Sequence, residues 1–134
     1  MVYGFRSCIL FLYFILIMIN QGHPQGTQNN DKIKLLWKAA EENDIATLKK
    51  LIQKGVNIEA SDKKQRTALM IATHKQNNEA AKTLIEAGAN VNALDDMHDS
   101  PFLYAGASGY TQIVSYCLQY GADFRVSTDT MELL

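Results

Sequence analysis

The fold of this chain is decided by residues 84–92, which read Leu84-Ile85-Glu86-Ala87-Gly88-Ala89-Asn90-Val91-Asn92. A matching frame stands 33 residues earlier around Gly55 and 33 residues later around Gly121. A fixed period of this length indicates a repeat protein in which one structural unit is written three times. A stack of such units has no single deep pocket but offers a long curved face, and this favours a binding function.

The repetition extends beyond the glycines to the apolar positions. Four sets of residues align across the copies: Leu36, Leu69 and Phe102; Ala39, Ala72 and Ala105; Leu48, Ala81 and Val114; Ile52, Ile85 and Leu118. Within each copy the apolar residues fall three and four positions apart, which is the spacing of one face of a helix. Each copy is therefore predicted to form a helix, a tight turn, a second helix and a loop.

The helix ends carry signals that agree with this period. Asp44, Thr67 and Ser100 precede predicted helices, and their side chains can accept a hydrogen bond from the first turn. Pro101 follows Ser100 at a position where a missing N–H is harmless. The glycine of each frame is suited to close a helix in the left-handed conformation.

Two of the copies also open with the same motif. The openings are Asp62-x-x-x-x-Thr67-Ala68-Leu69-x-x-Ala72 and Asp95-x-x-x-x-Ser100-Pro101-Phe102-x-x-Ala105. Together with the glycine frame, they resemble ankyrin repeats over about 31–126, nearly all of the chain after its first apolar stretch. The resemblance implies an all-α ankyrin-type solenoid of about three helix-turn-helix repeats with short β-hairpin loops. Gln65 and His98 depart from the family, which usually has a turn glycine at their position.

The chain is accordingly divided into six predicted parts. The repeats are predicted at 31–60, 61–93 and 94–126, and the first copy has charged outer positions that suit an N-terminal cap. The remaining parts are a signal peptide at 1–22, a flexible linker at 23–30 and an irregular tail at 127–134.

The signal peptide is predicted from a basic residue, an apolar run and a polar exit in that order. Arg6 precedes the unbroken apolar run from Ile9 to Ile19, and polar residues follow it. The run is about 12 residues long if Cys8 is counted, shorter than the roughly 20 residues that a membrane-spanning helix needs. We therefore expect a secreted or periplasmic protein, with a membrane anchor formed by residues 8–19 as the alternative.

The C-terminal end of the repeats carries two expectations. Ile113, Val114, Cys117 and Leu118 are predicted to lie on a face that another repeat would normally cover. A fourth copy would place Gly-x-Thr-Ala near residues 131–134, and a shifted reading frame of the codons permits such a sequence there. The tail is thus interpreted as the frameshifted remnant of a longer repeat protein, and the alternative is a short natural tail.

Composition and motifs favour no catalytic or nucleic-acid-binding class. Removal of a signal that contains Arg6 leaves 12 basic and 14 acidic side chains, which gives no basic surface for a polyanion. The histidines are not paired at helical spacing, and Cys-x-x-Cys and Gly-x-Ser-x-Gly motifs are absent from the sequence. Cys117 shares the register of Leu51 and Leu84, which predicts a buried apolar role. We expect a non-enzyme without a cofactor.

The resemblance also implies where a partner binds. In this family the loop tips and the exposed side of each first helix line the concave face. The corresponding residues are Lys63, Lys64, Arg66, His74 and Lys75 in the second copy and Asp96, Met97, Asp99, Ala107 and Ser108 in the third. One loop is basic and the next is acidic, so the partner is expected to be another protein with complementary charge.

Two other functions remain open at this stage. The first is a helper or immunity-type protein that protects or inhibits one specific exported enzyme. The second is an enzyme whose loop Asp95 to Asp99 holds a metal ion, since carboxylates and an imidazole gather there. An exposed turn is normally polar, however, and this favours a solvated loop over a cation site.

Overall fold

The computed structural model describes residues 25–123. This range contains six helices: α1 (Gln25–Glu42), α2 (Ile45–Gln53), α3 (Ala68–His74), α4 (Asn78–Glu86), α5 (Pro101–Ser108) and α6 (Thr111–Gln119). No strand occurs within it, so the loops reverse direction as turns without forming regular hairpins, and the all-α prediction is confirmed. The signal peptide or anchor and the tail at 127–134 were predicted for segments that lie outside the described residues.

The predicted helix caps are present. Asp44 Oδ1 accepts a hydrogen bond from Thr47 N at 3.1 Å, and Ser100 Oγ accepts one from Leu103 N at 3.1 Å. Thr67 Oγ1 makes the same bond to Met70 N at 3.4 Å. Each cap satisfies a backbone donor that has no partner within its own helix. The local sequence therefore sets where α2, α3 and α5 begin.

The first helix begins earlier than the sequence pattern predicts. Residues 23–30 were expected to be a flexible linker, but α1 already includes Gln25 to Asn30. The side chains from Thr27 to Asn30 are polar and exposed. This segment therefore has no apolar periodicity from which a helix could be predicted. Extending an existing helix is easier than nucleating one, which is how such a segment can be helical without a core face. The compact repeat unit itself begins at Lys32.

The helices stack in two rows that follow the 33-residue period. α3 packs against α5 in one row, and in the other α4 packs against both α2 and α6. The core between the rows is formed by residues with less than 5% exposure at matching positions of the copies: Leu36, Leu48, Leu51, Leu69, Leu84, Ile85, Ile113 and Cys117. Most of the apolar residues that recur in the sequence are thus buried, while Ile52, Phe102 and Val114 are half-buried and Leu118 is exposed.

The end of the stack differs in part from the sequence expectation. Ile113 and Cys117 were placed on an uncovered face, but both are completely buried. Leu118 is 52% exposed and Val114 is half-buried, so these two residues do form an apolar surface. The difference arises because α6 turns one side toward α4 and only its other side toward the end of the stack.

Asparagine side chains join neighbouring copies. Asn77 Nδ2 donates hydrogen bonds to Ala40 O at 2.9 Å and to Glu41 O at 2.8 Å, and these carbonyls end α1. Ala80 N donates to Asn43 Oδ1 at 3.1 Å. These bonds satisfy groups at helix ends that would otherwise lack partners. They also fix the distance between the first and second copies.

Among residues 25–123, four residues other than glycine adopt the left-handed backbone conformation. Gln65 and His98 have φ angles of 58° and 63° at equivalent loop positions. Asn43 and Gln76 have φ angles of 57° and 56° at the position where the third copy has Gly109 with a φ of 75°. For a residue with a Cβ this conformation costs about 1–2 kcal/mol. At Gln65 and His98, the turn glycine that the family usually has would remove this conformational cost.

Replacing Gln65 with glycine is expected to stabilise the chain by up to about 1 kcal/mol, because relief of the left-handed strain exceeds the extra entropy that glycine loses on folding. In a domain of this size the melting temperature would rise by roughly 4–8 °C per kcal/mol. Thermal denaturation followed by circular dichroism measures the change. Gln65→Ala is the control, since alanine keeps the Cβ. An equal gain in both variants would show that strain at Gln65 is not the cause.

Candidate partner-binding face

The two loop tips are built on the same framework. Asp62 Oδ1 accepts hydrogen bonds from the backbone N–H groups of Lys64 at 2.9 Å and Arg66 at 3.0 Å. Asp95 Oδ1 accepts from Met97 N at 2.9 Å and from Asp99 N at 3.0 Å. An aspartate at this position braces the turn in both copies. The loops therefore present their tips from a fixed backbone.

The tips carry opposite chemistry on adjacent loops. Lys63 and Lys64 are exposed on the first tip, and Asp96 and Met97 are exposed on the second, with Met97 at 77%. Asp96 N donates a hydrogen bond to Lys64 O at 3.0 Å, which ties the two tips side by side. A basic, an acidic and an apolar group are thus held within one surface.

Arg66 is less available than its position in the sequence suggests. Its Nη2 lies 2.7 Å from Asp62 Oδ2, and its Nε donates to the same oxygen at 2.9 Å. Partial burial alone would raise the pKa of Asp62, but the hydrogen bonds from Arg66 outweigh it and hold the pKa below its ordinary value. Arg66 is therefore half-buried in an internal ion pair.

A cleft of about 350 Å³ opens between α1 and α3. It is lined by Lys34, Trp37, Lys38, Glu41, Asp62, Arg66, Ile71, His74 and Lys75. Only Arg66, His74 and Lys75 among these were predicted site residues. The signal for Glu41 was present in the sequence, because it stands 33 residues before His74 and shares its register. Because the first copy was interpreted only as an N-terminal cap, Glu41 was not predicted to lie on this face.

His74 forms a wall of the cleft. Its ring stacks against Tyr104 of the next copy with centroids 4.1 Å apart. Burial lowers the pKa of His74 and the nearby Arg66 guanidinium lowers it further, so the imidazole is neutral at pH 7. The ring centroid of Tyr104 in turn lies 6.3 Å from that of Tyr110, so two tyrosines of the third copy belong to this aromatic group.

The predicted residues at the ends of α3 and α5 differ in charge. Lys75 is exposed and its Nζ lies 3.2 Å from Glu41 Oε1 on α1. Ala107 and Ser108 are exposed on α5 and carry no charge, whereas Asp99 is half-buried in the loop before α5. Along the first helices, the face thus changes from charged on α1 and α3 to small and neutral at the end of α5, while the loop before α5 carries Asp96 and Asp99.

The loop that was considered for a metal ion is organised around a buried carboxylate. Asp95 is 5% exposed, and its Oδ1 is used by the turn as described for the loop tips. Within residues 25–123 no group of three or more histidine, cysteine, aspartate or glutamate side chains is arranged to hold a metal ion. Cys117 is buried, which raises its pKa to about 11 and keeps the thiol protonated.

The membrane prediction concerns a segment outside this range. None of the helices between Gln25 and Asp123 is both long and apolar enough to cross a bilayer.

Comparison with known proteins identifies relatives for most of the chain. The sequence pattern of the family described as ankyrin repeats (3 copies) matches residues 11–95 and 36–128. The fold is similar to that of an ankyrin repeat domain from Acinetobacter baumannii AYE, with 49% identity, a TM-score of 0.64 and coverage of 66% of this chain and 45% of the other. The ankyrin repeat protein EF0377 is 36% identical with a TM-score of 0.63, and the match covers 68% of this chain and 46% of the other.

A curated relative matches about half of the chain. The mitochondrial disaggregase of Homo sapiens is 31% identical over 74 residues, which is 55% of this chain and 10% of that protein. Across five curated relatives the chain covers between 10% and 32% of their length. The predicted ankyrin-type fold is confirmed, while the relatives contain much sequence that this chain does not match.

Proposed function

Because this chain belongs to the ankyrin repeat family, we propose that it binds one partner protein through its two loop tips and the concave side of its first helices. Ankyrin repeats are generally modules for protein–protein interaction and are typically not catalytic. The observation that carries the proposal is the pair of tied tips, where Lys63 and Lys64 lie beside Asp96 and Met97. Opposite charges at fixed positions give a partner specificity and orientation.

The tips have the chemistry of an interface. Met97 is 77% exposed, so most of its apolar side chain faces water. Burial of such a side chain would be favourable. Methionine is also enriched in protein interfaces, whereas lysine and aspartate are more often found at their rims. We infer that Met97 packs into the partner and that the charged tip residues surround it.

The proposal includes a cellular setting, which is supported by the pattern of the N-terminal sequence. A signal peptide at 1–22 would place the protein in the secreted or periplasmic fraction, and residues 8–19 would anchor it in the membrane if they were kept. The partner is accordingly sought among exported proteins. Recovery of a single exported enzyme would favour the helper or immunity-type role, and recovery of several unrelated proteins would favour a general interaction module.

Reversing the charge of the first tip, or replacing Asp96 and Met97 on the second tip, is expected to reduce capture of the partner without changing the fold. The two variants are Lys63→Glu with Lys64→Glu, and Asp96→Lys with Met97→Ala. All four side chains are exposed, so their replacement should alter stability by no more than about 0.5 kcal/mol. Capture is measured with purified protein and the exported fraction, and folding is checked by circular dichroism.

The matched control for these variants is Lys49→Glu with Lys50→Glu. Both lysines are exposed on α2 and neither lines the cleft, and the change in net charge equals that of the first tip variant. The control is expected to capture the partner as the wild type does. Full capture by both tip variants would place the interface elsewhere on the molecule.

A further inference from the structure

The cleft between α1 and α3 has an excess of positive charge. Four basic side chains line it, from Lys34, Lys38, Arg66 and Lys75, together with the carboxylates of Glu41 and Asp62. Both carboxylates are already used, since Asp62 pairs with Arg66 at 2.7 Å and Glu41 with Lys75 at 3.2 Å. With His74 neutral at pH 7, the lining carries two more positive than negative charges.

Two of these cations are available to a ligand. Within the described residues Lys34 makes no ion pair, and Lys38 lies 3.8 Å from Glu42 in a pair whose side chains are 65% and 59% exposed. Such an exposed pair contributes little and can exchange partners. Lys63 and Lys64 on the neighbouring tip add two more exposed ammonium groups without an ion pair in the described structure. Positive charge is therefore present in the cleft and also on the first tip, whose Lys63 directly follows the cleft residue Asp62 in the chain.

The cleft also has an apolar wall. Trp37 and Ile71 line it together with the charged side chains. Trp37 is held in place because its Nε1 donates a hydrogen bond to Ala60 O at 3.0 Å. A volume of about 350 Å³ lies at the lower end of the range of ligand pockets, which is enough for a side chain and its flanking backbone.

The third copy restricts which way an acidic ligand can lie. Asp96 is exposed and Asp99 half-exposed on the second tip, so negative charge lies on the loop that is bonded to the first tip through Asp96 N and Lys64 O. Like charges across an interface are unfavourable, and an acidic segment would be directed toward α1 and the first tip. A nucleic acid, which is negative along its whole length, would meet these aspartates as well.

We propose that the cleft between α1 and α3 binds an acidic segment of the partner protein, with an apolar side chain against Trp37 and carboxylates near Lys34 and Lys38. This inference rests on the proposed function and adds the chemical class of the bound segment. Acidic residues on the partner would point toward the first copy, and its uncharged or basic residues would face the tip that carries Asp96.

Trp37 provides a direct readout, because it is the only tryptophan in the chain. The probe is a capped peptide with several acidic residues around one leucine, titrated at low ionic strength while tryptophan fluorescence is followed. A saturable change is expected for this peptide and none for a peptide in which lysines replace the acidic residues. Raising the salt concentration should weaken binding, since the attraction is electrostatic.

Charge variants test whether the signal comes from the cleft. Lys34→Glu with Lys38→Glu is expected to weaken binding of the acidic peptide at least tenfold. Lys49→Glu with Lys50→Glu changes the net charge equally outside the cleft and is expected to weaken it less than twofold. Absence of a saturable change, or equal weakening by both variants, would overturn the proposal.

Capture of the partner separates this inference from the proposed function. The cleft variant should lose capture in the same way as it loses the acidic peptide. If the tip variants lose the partner while the cleft variant retains it, the interaction function stands and the acidic-segment inference fails. If neither the tip variants nor the cleft variant changes capture, the proposed surface is wrong as a whole.

Discussion

The Leu84→Ala variant is expected to unfold at a much lower denaturant concentration than the wild-type chain. Leu84 is completely buried on α4, which packs against both α2 and α6. Removing a buried leucine side chain typically costs about 2–5 kcal/mol. Small domains are stable by only about 5–15 kcal/mol, so the loss would be a large share of the total. The denaturation midpoint followed by circular dichroism measures it.

The control has the same chemical change at an exposed position. Leu94 is 40% exposed in the loop between α4 and α5, and its replacement by alanine removes the same atoms with a smaller loss of burial than at Leu84. Leu94→Ala is expected to cost less than about 1 kcal/mol. Equal midpoints for the wild type and Leu84→Ala would mean that Leu84 does not join the second copy to its neighbours.

Local signals made most of the fold predictable. Thr67 and Ser100 act on the turn that immediately follows each of them, so their role as caps does not depend on distant residues. Gly88, with a φ angle of 96°, likewise closes α4 as its position in the frame predicts. The 33-residue period then extends the predicted helix boundaries of one copy to the equivalent positions of the others.

The parts that were missed depend on relations between copies. The cleft needs Trp37 of the first copy and His74 of the second, and the sequence does not show how far apart their helices lie. Arg66 looked like an exposed tip residue, but its pairing with Asp62 at 2.7 Å follows from the shape of the turn. The burial of Ile113 likewise depends on how α6 faces α4.

An added repeat is expected to stabilise the chain by covering the outer side of the third copy. Leu118 is 52% exposed, whereas Ile85, at the same register of the second copy, is 1% exposed. Val114 is half-buried, whereas Ala81 at its register is completely buried. In the second copy these positions are covered by the copy that follows it, since α4 packs against α6.

The uncovered surface is shaped for packing. It contains a depression of about 480 Å³ that is lined by Gly106, Gly109, Thr111, Val114, Ser115, Leu118 and Gln119. None of these side chains is charged, and two of the residues are glycines that let a helix approach closely. In a stacked repeat protein, stability comes largely from the interfaces between neighbouring units. A further repeat on this surface would add one such interface.

Fusing one consensus repeat after Asp123 is therefore expected to raise the denaturation midpoint. Burial of the exposed half of Leu118 alone should contribute about 1 kcal/mol, and the remainder of the new interface adds to it. The control is the same fusion with Leu118→Glu, which places a charge in the interface and should lose most of the gain. In the unfused chain Leu118→Glu should have little effect, because the side chain already faces water. An unchanged midpoint in the fusion, or an equal gain with glutamate at residue 118, would show that this surface does not accept a repeat.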